Sequence, residues 1–287
     1  RLVSGDRVRV PPVHAQSQSA QAVATGGTAR VPPALMARVS AAIIHEDERL
    51  LVRDKPAGLA VHGGSGLSYG IIEALRAARP HEQLELAHRL DRDTSGVLMI
   101  ARKPAALRVL HELLREGAVR KSYLALVVGR WQLGRKLVDA PLQTEARVHG
   151  ERTVRVGVGG KSARTQFALV QQFGALASLV EATLETGRTH QIRVHAAYCG
   201  HPVAGDLKYG AADGNARMRA LGLTRMFLHA HSVSFDWPQG GAVSISAPLP
   251  DDLRRCLAAM AGAAAGAGAA GGPRAARSRR RAGSRRA

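Results

Sequence analysis

The sequence predicts an α+β fold, and three observations support that prediction. With 287 residues, of which 45% are hydrophobic, the chain is long enough to bury a sizeable core. Short apolar or alternating runs, such as residues 120–128 and 178–184, are typical of β-strands. Residues 104–116 instead repeat leucine at helical spacing between Pro104 and Gly117, which indicates a helix with a defined start and end.

The first forty residues differ in composition from the rest of the chain. Residues 1–12 read RLVSGDRVRVPP and contain one short alternating run, which predicts a strand. Residues 13–40 are rich in Ala, Gln, Ser, Thr and Gly without hydrophobic periodicity, which predicts a flexible linker. The folded body is therefore expected to begin at residue 41, with a β-hairpin formed by residues 41–44 and 50–52.

A glycine-dense stretch comes after the hairpin. Residues 61–66 read VHGGSG, but they lack the Gly-Lys-Ser/Thr ending of a nucleotide-binding loop. The next segment, residues 68–78, places Ile71, Ile72 and Leu75 on one face and is followed by Pro80. This pattern predicts a helix.

Residues 88–96 form a densely polar segment within the predicted catalytic domain. They read HRLDRDTSG and run directly into the apolar residues 97–101, so the polar side chains are expected at the edge of a sheet. Two acids, two arginines, a histidine and two hydroxyls are more than a simple connection requires. The alternative is a solvated turn stabilised by Asp–Arg pairs.

Three motifs together resemble one known family. Residues 88–103, residues 121–123 (KSY) and residues 186–195 (TGRTHQIRVH) resemble the signatures of the RluA family of pseudouridine synthases, in that order and spacing. The resemblance implies a mixed, mainly antiparallel β-sheet with flanking helices and loops around a central RNA-binding cleft. It also implies that Asp91 is the catalytic residue, although Asp93 is a second carboxylate on the same loop.

The same resemblance implies roles for other side chains. Tyr123 would stack on the target base and Arg193 would pair with the catalytic aspartate, with Arg188 as the second choice for that pairing. Arg89 would enter the RNA near the base that leaves its stack. If the third motif lies on a helix, its face would carry Arg193 together with Thr189 and His190.

The rest of the chain completes one catalytic domain, predicted to span residues 41–260. Further strands are expected at residues 152–156, 163–170, 178–184, 227–231 and 242–245, and a terminal helix at 250–260. The Ala/Gly/Arg-rich residues 261–287 are predicted to form a disordered tail. Residues 1–12 resemble the last strand of an S4-type RNA-binding domain that precedes the catalytic domain in many relatives.

Composition indicates the partner and the compartment. The net charge of +19 includes seven arginines between Arg274 and Arg286, and without them the chain still carries +12. A polyanionic partner is therefore expected, and the family resemblance implies large-subunit ribosomal RNA. Only two cysteines and no long apolar run are present, which predicts a cytoplasmic protein without a structural metal or a membrane span. We expect a monomer that needs no cofactor.

Three other functions would each explain part of the sequence. The Asp91-Arg92-Asp93 order resembles a haloacid dehalogenase nucleophile pair, but there the apolar strand precedes the acids, whereas here it comes after them. A noncatalytic, basic ribosome-binding protein would explain the charge but not the three motifs together. A pseudouridine synthase that acts on tRNA would share the motifs and differ in substrate.

Overall fold

The structure is a computed structural model, and it describes residues 31–63, 69–145 and 153–269. Within these ranges the chain forms twelve strands and six helices. The strands are β1 (Ile43–Glu46), β2 (Leu50–Lys55), β3 (Glu85–Leu86), β4 (Ser95–Ala101), β5 (Arg120–Val128), β6 (Lys136–Asp139), β7 (Leu142–Thr144), β8 (Val154–Val156), β9 (Arg164–Phe173), β10 (Ala177–Leu184), β11 (Leu228–Asp236) and β12 (Ala242–Ser246). The helices are α1 (Pro33–Ser40), α2 (Ile71–Ala78), α3 (Pro104–Glu116), α4 (Gln191–Tyr198), α5 (Ala212–Ala220) and α6 (Asp251–Ala269).

Ten of the strands form one mixed sheet, and this confirms the predicted α+β class. The main path runs β1-β2-β4-β11-β5-β10-β9-β6, with β3 paired to β4 and β12 paired to β11. All pairings are antiparallel except that of β4 with β11, where Ser95 lies opposite His229. The strands β7 and β8 form a separate pair. The parallel contact matters for function because β4 begins directly after the polar loop of residues 88–94.

The centre of the sheet is buried on both faces. Strand β4 is buried along its whole length, and its alternate residues contribute to two different apolar clusters, with Leu98 and Ile100 in one and Val97 and Met99 in the other. Such double burial explains the continuous apolar run after the polar loop. It also gives that loop a rigid base.

The backbone conformation at position 96 and its close approach to β11 explain why this residue is a glycine. Its φ angle is +108°, and a Cβ atom at this position would lie 2.1 Å from the carbonyl oxygen of Ala230 on β11. The left-handed region and this close approach both exclude a side chain. The sequence Thr94-Ser95-Gly96 therefore allows β4 to start tightly against β11.

The predicted element boundaries are close to those observed in the central region. The strand β5 and the helix α3 lie where the sequence predicts them, and Gly117 ends α3 with a φ of +75°. The predicted hairpin is present, but β1 is shifted by two residues from the predicted 41–44 and β2 extends three residues beyond the predicted 50–52. Helix α2 starts at Ile71, whereas the predicted start, Ser68, lies outside the described residues. Helix α4 begins at Gln191, so Thr189 and His190 precede it, contrary to the prediction that they share its face with Arg193.

Two predicted boundaries need correction at the ends. Residues 33–40 were assigned to a flexible linker, but they form α1, with Pro33 in its first turn and Val39 buried in the main core. Residues 261–269 were assigned to the tail, but they extend α6, because alanine favours helix. The remaining parts of both predictions, and the S4-like strand at residues 1–12, lie outside the described residues. In the part of the chain that is described, no helix has the length and apolarity needed to cross a membrane.

Candidate active site

The loop between β3 and β4 carries Asp91 to the wall of a cleft. The cleft has a volume of about 870 Å³. Its lining residues lie within five segments of the chain, which are 60–62, 89–93, 189–193, 205–208 and 215–226. Asp91 is partly buried, with 20% of its side chain exposed, and the backbone amide of Thr94 donates to its carbonyl oxygen at 3.1 Å. The carboxylate therefore faces the cleft from a closed turn.

Lys55 stabilises this loop through hydrogen bonds to backbone carbonyl oxygens. Its side chain is fully buried, and its Nζ donates to the carbonyl oxygens of Arg92 at 2.8 Å and Pro56 at 2.9 Å. Burial lowers the pKa of Lys55 to about 7. The backbone amide of Gly58 also donates to the Arg92 carbonyl oxygen, at 2.9 Å. These contacts fix the segment beside Asp91, although Lys55 was not predicted as a site residue.

Arg193 links Asp91 to a second carboxylate. Its Nη1 donates to Asp91 Oδ2 at 3.1 Å, while its Nε and Nη2 donate to the two oxygens of Asp206 at 2.7 and 2.9 Å. Burial opposes the charge of Arg193, but the hydrogen bonds and charges of Asp206 and Asp91 raise its pKa above the ordinary value. Arg193 is therefore a permanent cation held in one orientation by a bidentate contact.

Asp206 is the main site residue that sequence reasoning missed. Its carboxylate is fully buried and also accepts hydrogen bonds from the backbone amides of Lys208 at 2.9 Å and Tyr209 at 3.1 Å. Burial alone would raise the pKa of Asp206, but the hydrogen bonds and charge of Arg193 outweigh it and lower the pKa. A chemical argument could have indicated such a residue, since a buried guanidinium with five donors needs more than one carboxylate partner.

His190 lies beside this ion pair. Its Nε2 is 3.8 Å from Asp91 Oδ2, and its Nδ1 is 2.8 Å from the hydroxyl oxygen of Tyr209. Its φ angle of 55° makes it the one non-glycine residue with a positive φ in the described chain, and such strain is often found at functional sites. Burial lowers the pKa of His190, so its imidazole is neutral at pH 7.

Gln191 explains how the strained segment is held. Its side-chain oxygen accepts hydrogen bonds from the Thr186 hydroxyl at 2.7 Å and the Arg188 backbone amide at 3.0 Å. Its side-chain nitrogen donates to the Arg164 carbonyl oxygen and the Thr165 hydroxyl, both at 2.9 Å. Two of the four hydrogen bonds of this buried amide link positions within residues 186–191, and the other two tie this segment to β9. Gln191 was part of the motif but was not predicted to have this role.

The other predicted side chains fall into two groups. Tyr123, Thr189 and Arg89 line a smaller pocket of about 90 Å³ that is also lined by Asp91. Burial, with a smaller contribution from the charge of Asp91, raises the pKa of Tyr123, so it stays a neutral phenol. Arg188 also lines this pocket, but its Nε donates to the carbonyl oxygen of Ser162 at 3.0 Å and not to Asp91. The geometry thus brings Arg193, and not Arg188, into contact with Asp91.

The cleft has the charge expected of a polyanion-binding surface. Its lining includes three aspartates and six Lys or Arg residues, namely Arg89, Arg92, Arg193, Lys208, Arg219 and Arg225. Arg89 is exposed and makes no ion pair with any other described residue. Within residues 31–63, 69–145 and 153–269, no group of three His, Cys, Asp or Glu side chains converges as metal ligands do.

His229, on β11, connects the start of β4 to the segment that follows β12. Its Nε2 donates to the Ala247 carbonyl oxygen at 3.2 Å, so its Nδ1 accepts a hydrogen bond from the Ser95 hydroxyl at 3.0 Å. The ring is fully buried, and burial lowers the pKa of His229 to about 4. The imidazole is therefore neutral in the folded protein.

This buried histidine makes stability depend on pH. Because its pKa is near 6.5 in the unfolded chain, the unfolded state binds the extra proton below that pH, and stability falls between pH 6.5 and about 4. Between pH 7.5 and 5.0, the free energy of unfolding of the His229→Gln variant should fall by about 2 kcal/mol less than that of the wild type. Urea unfolding at both pH values measures this. His111→Gln, at an exposed position, should keep the wild-type pH dependence, and an equal dependence in the His229 variant would contradict the assignment.

Comparisons with known proteins show which proteins this chain resembles. Residues 49–198 match the family model described as RNA pseudouridylate synthase. The chain is 49% identical to ribosomal large subunit pseudouridine synthase C of Pasteurella multocida, over 91% of the chain and 78% of that protein. It is 48% identical to the Escherichia coli K12 protein of the same name, over 90% of the chain and 80% of that protein.

Solved structures show the same fold. Human RNA pseudouridylate synthase domain containing 4 has a TM-score of 0.66 and 27% identity, with 79% of this chain and 95% of that chain covered. Human RNA pseudouridylate synthase domain containing 1 has a TM-score of 0.61 and 28% identity, with 73% and 83% covered. These similarities confirm the predicted sheet with flanking helices.

Proposed function

The chain belongs to the RNA pseudouridylate synthase family, and from that membership we propose that it converts specific uridines of large-subunit ribosomal RNA to pseudouridine, with Asp91 as the catalytic carboxylate. The observation that carries the proposal is the contact between Asp91 and Arg193 at the wall of a basic cleft, next to the pocket lined by Tyr123. The similarity to two proteins named ribosomal large subunit pseudouridine synthase C supports the choice of large-subunit RNA.

The reaction is an isomerisation, and its atoms balance without another reactant. The N1–C1′ bond of uridine breaks, the uracil turns over, and C5 joins C1′. C5 loses its proton and N1 gains one, so there is neither net oxidation nor hydrolysis. The enzyme needs an ionised carboxylate at the ribose, which acts as a nucleophile at C1′ or as a base at C2′. Asp91 supplies that carboxylate.

Arg193 serves as the cationic partner that pairs with Asp91 and orients its carboxylate when RNA covers the site. A carboxylate removed from water is costly unless a cation pairs with it. The bidentate contact with Asp206 holds the guanidinium in place, so Arg193 does not have to reorganise when substrate arrives. Asp206 acts through Arg193 and is a positioning residue in this scheme.

Tyr123 holds the detached uracil. The small pocket beside Asp91 is lined by Tyr123 together with the apolar side chains Leu184 and Leu228. A planar ring packed there is shielded from water, and shielding is needed because attack of water at C1′ would leave an abasic site. The neutral phenol of Tyr123 suits stacking on the base.

Arg89 contacts the RNA next to the target nucleotide. Taking the target base out of its stack costs a few kcal/mol, and a side chain that enters the RNA offsets part of that cost. Arg89 is exposed at the cleft and also lines the small pocket, so it reaches both the RNA and the base. His190 and Thr189 complete the wall around Asp91.

The remaining proposals concern the whole protein. We propose that it acts as a monomer in the cytoplasm, without a cofactor or a membrane partner. Residues 1–12 belong in this proposal to an S4-type RNA-binding domain, and the catalytic domain comes after it. Light scattering of the purified protein at micromolar concentration tests the monomer, and a dimer mass would contradict it.

The substrate class is tested by tritium release from RNA labelled at C5 of uridine. We expect release from unmodified large-subunit rRNA and none above background from small-subunit rRNA or tRNA. Tritium release from tRNA alone would support the proposed reaction but contradict the proposed ribosomal RNA substrate. Tight binding of large-subunit rRNA without release from any RNA would favour a noncatalytic binder.

The arginine-rich end of the chain predicts a separate, electrostatic effect. Seven arginines lie between Arg274 and Arg286. Deleting residues 274–287 should weaken RNA binding and reduce the slope of log Kd against log salt by up to about 6, because each phosphate contact contributes about 0.9. The matched control keeps the length and replaces the seven arginines with glutamine, which should give the same result. A loss of turnover at saturating RNA would show that the tail belongs to the active site instead.

A further inference from the structure

Leu207 is an apolar side chain exposed in a polar cleft. It is 86% exposed, whereas the other large apolar residues of the cleft lining are nearly buried, among them Val61, Leu90, Leu223 and Met226. A single exposed leucine on a protein surface is ordinary. This leucine differs because it lies in the lining of the cleft that holds Asp91 and is flanked in sequence by Asp206 and Lys208.

The turn that carries Leu207 is fixed on both sides. Before it, the Asp206 carboxylate accepts hydrogen bonds from the backbone amides of Lys208 and Tyr209, which closes the turn around Leu207. The side-chain nitrogen of Asn215 donates to the Asp206 carbonyl oxygen at 2.8 Å, and the Asn215 side-chain oxygen accepts a hydrogen bond from the Gly205 amide at 2.8 Å. Leu207 is therefore held in the cleft with little freedom of its backbone.

The same turn is coupled to the catalytic carboxylate. Arg193 contacts Asp206 through Nε and Nη2 and Asp91 through Nη1, so one guanidinium sets the distance between the Leu207 turn and Asp91. The cationic lining of the cleft is suited to RNA phosphates, and Leu207 is not. An exposed leucine at this place fits the apolar face of a nucleobase.

We propose that Leu207 is a positioning residue that packs against the face of a nucleobase flanking the target uridine. The proposal rests on the function proposed above. Apolar side chains that pack between bases stabilise unstacked or bent nucleic acids. Leu207 thereby keeps the flanking base in place while the target base leaves its stack.

The test compares Leu207→Ser with the wild type, both in RNA binding and in tritium release from C5-labelled large-subunit rRNA. Burial of a leucine predicts that the serine variant binds about 10- to 100-fold more weakly. Because an apolar contact releases no counterions, the slope of log Kd against log salt should not change. Leu207→Met should stay within about 3-fold of the wild type, since methionine replaces leucine well in apolar contacts.

Leu133→Ser is the matched control, because Leu133 is also an exposed leucine but does not line the cleft. It should bind RNA as the wild type does. The proposal is overturned if Leu207→Ser binds normally, if Leu207→Met loses as much affinity as the serine variant, or if the salt slope falls with the affinity. Binding is also measured in the Asp91→Asn background. A wild type that binds rRNA without turnover overturns the proposed function alone, and the binding comparison still decides the role of Leu207.

Discussion

Asp91→Asn should reduce turnover of large-subunit rRNA by at least about a thousandfold, which is within the range assigned to a positioned acid or base. The amide keeps the size of the side chain but can act neither as a nucleophile nor as a base. Binding of RNA and the free energy of unfolding should change little, because Arg193 keeps its bidentate contact with Asp206. Single-turnover tritium release with saturating enzyme measures the chemical step.

Asp93→Asn is the matched control on the same loop. The Asp93 side chain is 53% exposed and pairs at 3.3 Å with Arg92, also exposed, in a contact that contributes little to stability. This variant should keep turnover within a few-fold of the wild type. The opposite pattern, with turnover lost in the Asp93 variant and kept in the Asp91 variant, would move the catalytic role to Asp93.

Arg193→Met should abolish turnover and also destabilise the fold by about 3–5 kcal/mol. The substitution leaves the fully buried Asp206 carboxylate without its cation, although two backbone amides still donate to it. Arg193→Lys keeps the charge but lacks the planar fork that binds Asp206 while reaching Asp91. Its stability should lie between that of the wild type and that of the methionine variant, and its turnover should still be strongly reduced.

A double variant separates stability from catalysis. Arg193→Met combined with Asp206→Asn removes the buried unpaired charge, so it should recover much of the lost stability without recovering turnover. Urea unfolding and tritium release on the wild type, the two single variants and the double variant complete the cycle. A double variant as unstable as Arg193→Met, or an Arg193→Met protein with normal turnover, would contradict the proposed roles of the pair.

Local patterns were sufficient to predict the centre of the fold. The helix from Pro104 to Gly117 and the strand from Arg120 to Val128 are encoded by end signals and alternation, and the structure has both. The helix α1 was missed because Pro32 and Pro33 come after a polar, aperiodic stretch and were assigned to a linker. Proline is nevertheless compatible with the first turn of a helix, and packing of Val39 into the core stabilises it.

The site was predictable only where a motif carried it. Asp91 and Arg193 are more than a hundred residues apart, and it was family resemblance, not spacing, that paired them. Asp206 and Lys55 were not predicted as site residues, because their roles depend on which loops pack together in three dimensions. The position of His190 in the left-handed region was also unpredictable, since it is maintained by the distant hydrogen bonds of Gln191 to β9.

The most direct test of the proposed reaction is a product balance on large-subunit rRNA carrying tritium at C5 and carbon-14 in the uracil ring. We predict that the wild-type protein releases one tritium for each pseudouridine formed, with all carbon-14 remaining in the RNA. Free labelled uracil would show that the site hydrolyses the N1–C1′ bond and does not rejoin the base. No tritium release from bound RNA would contradict the catalytic role assigned to Asp91.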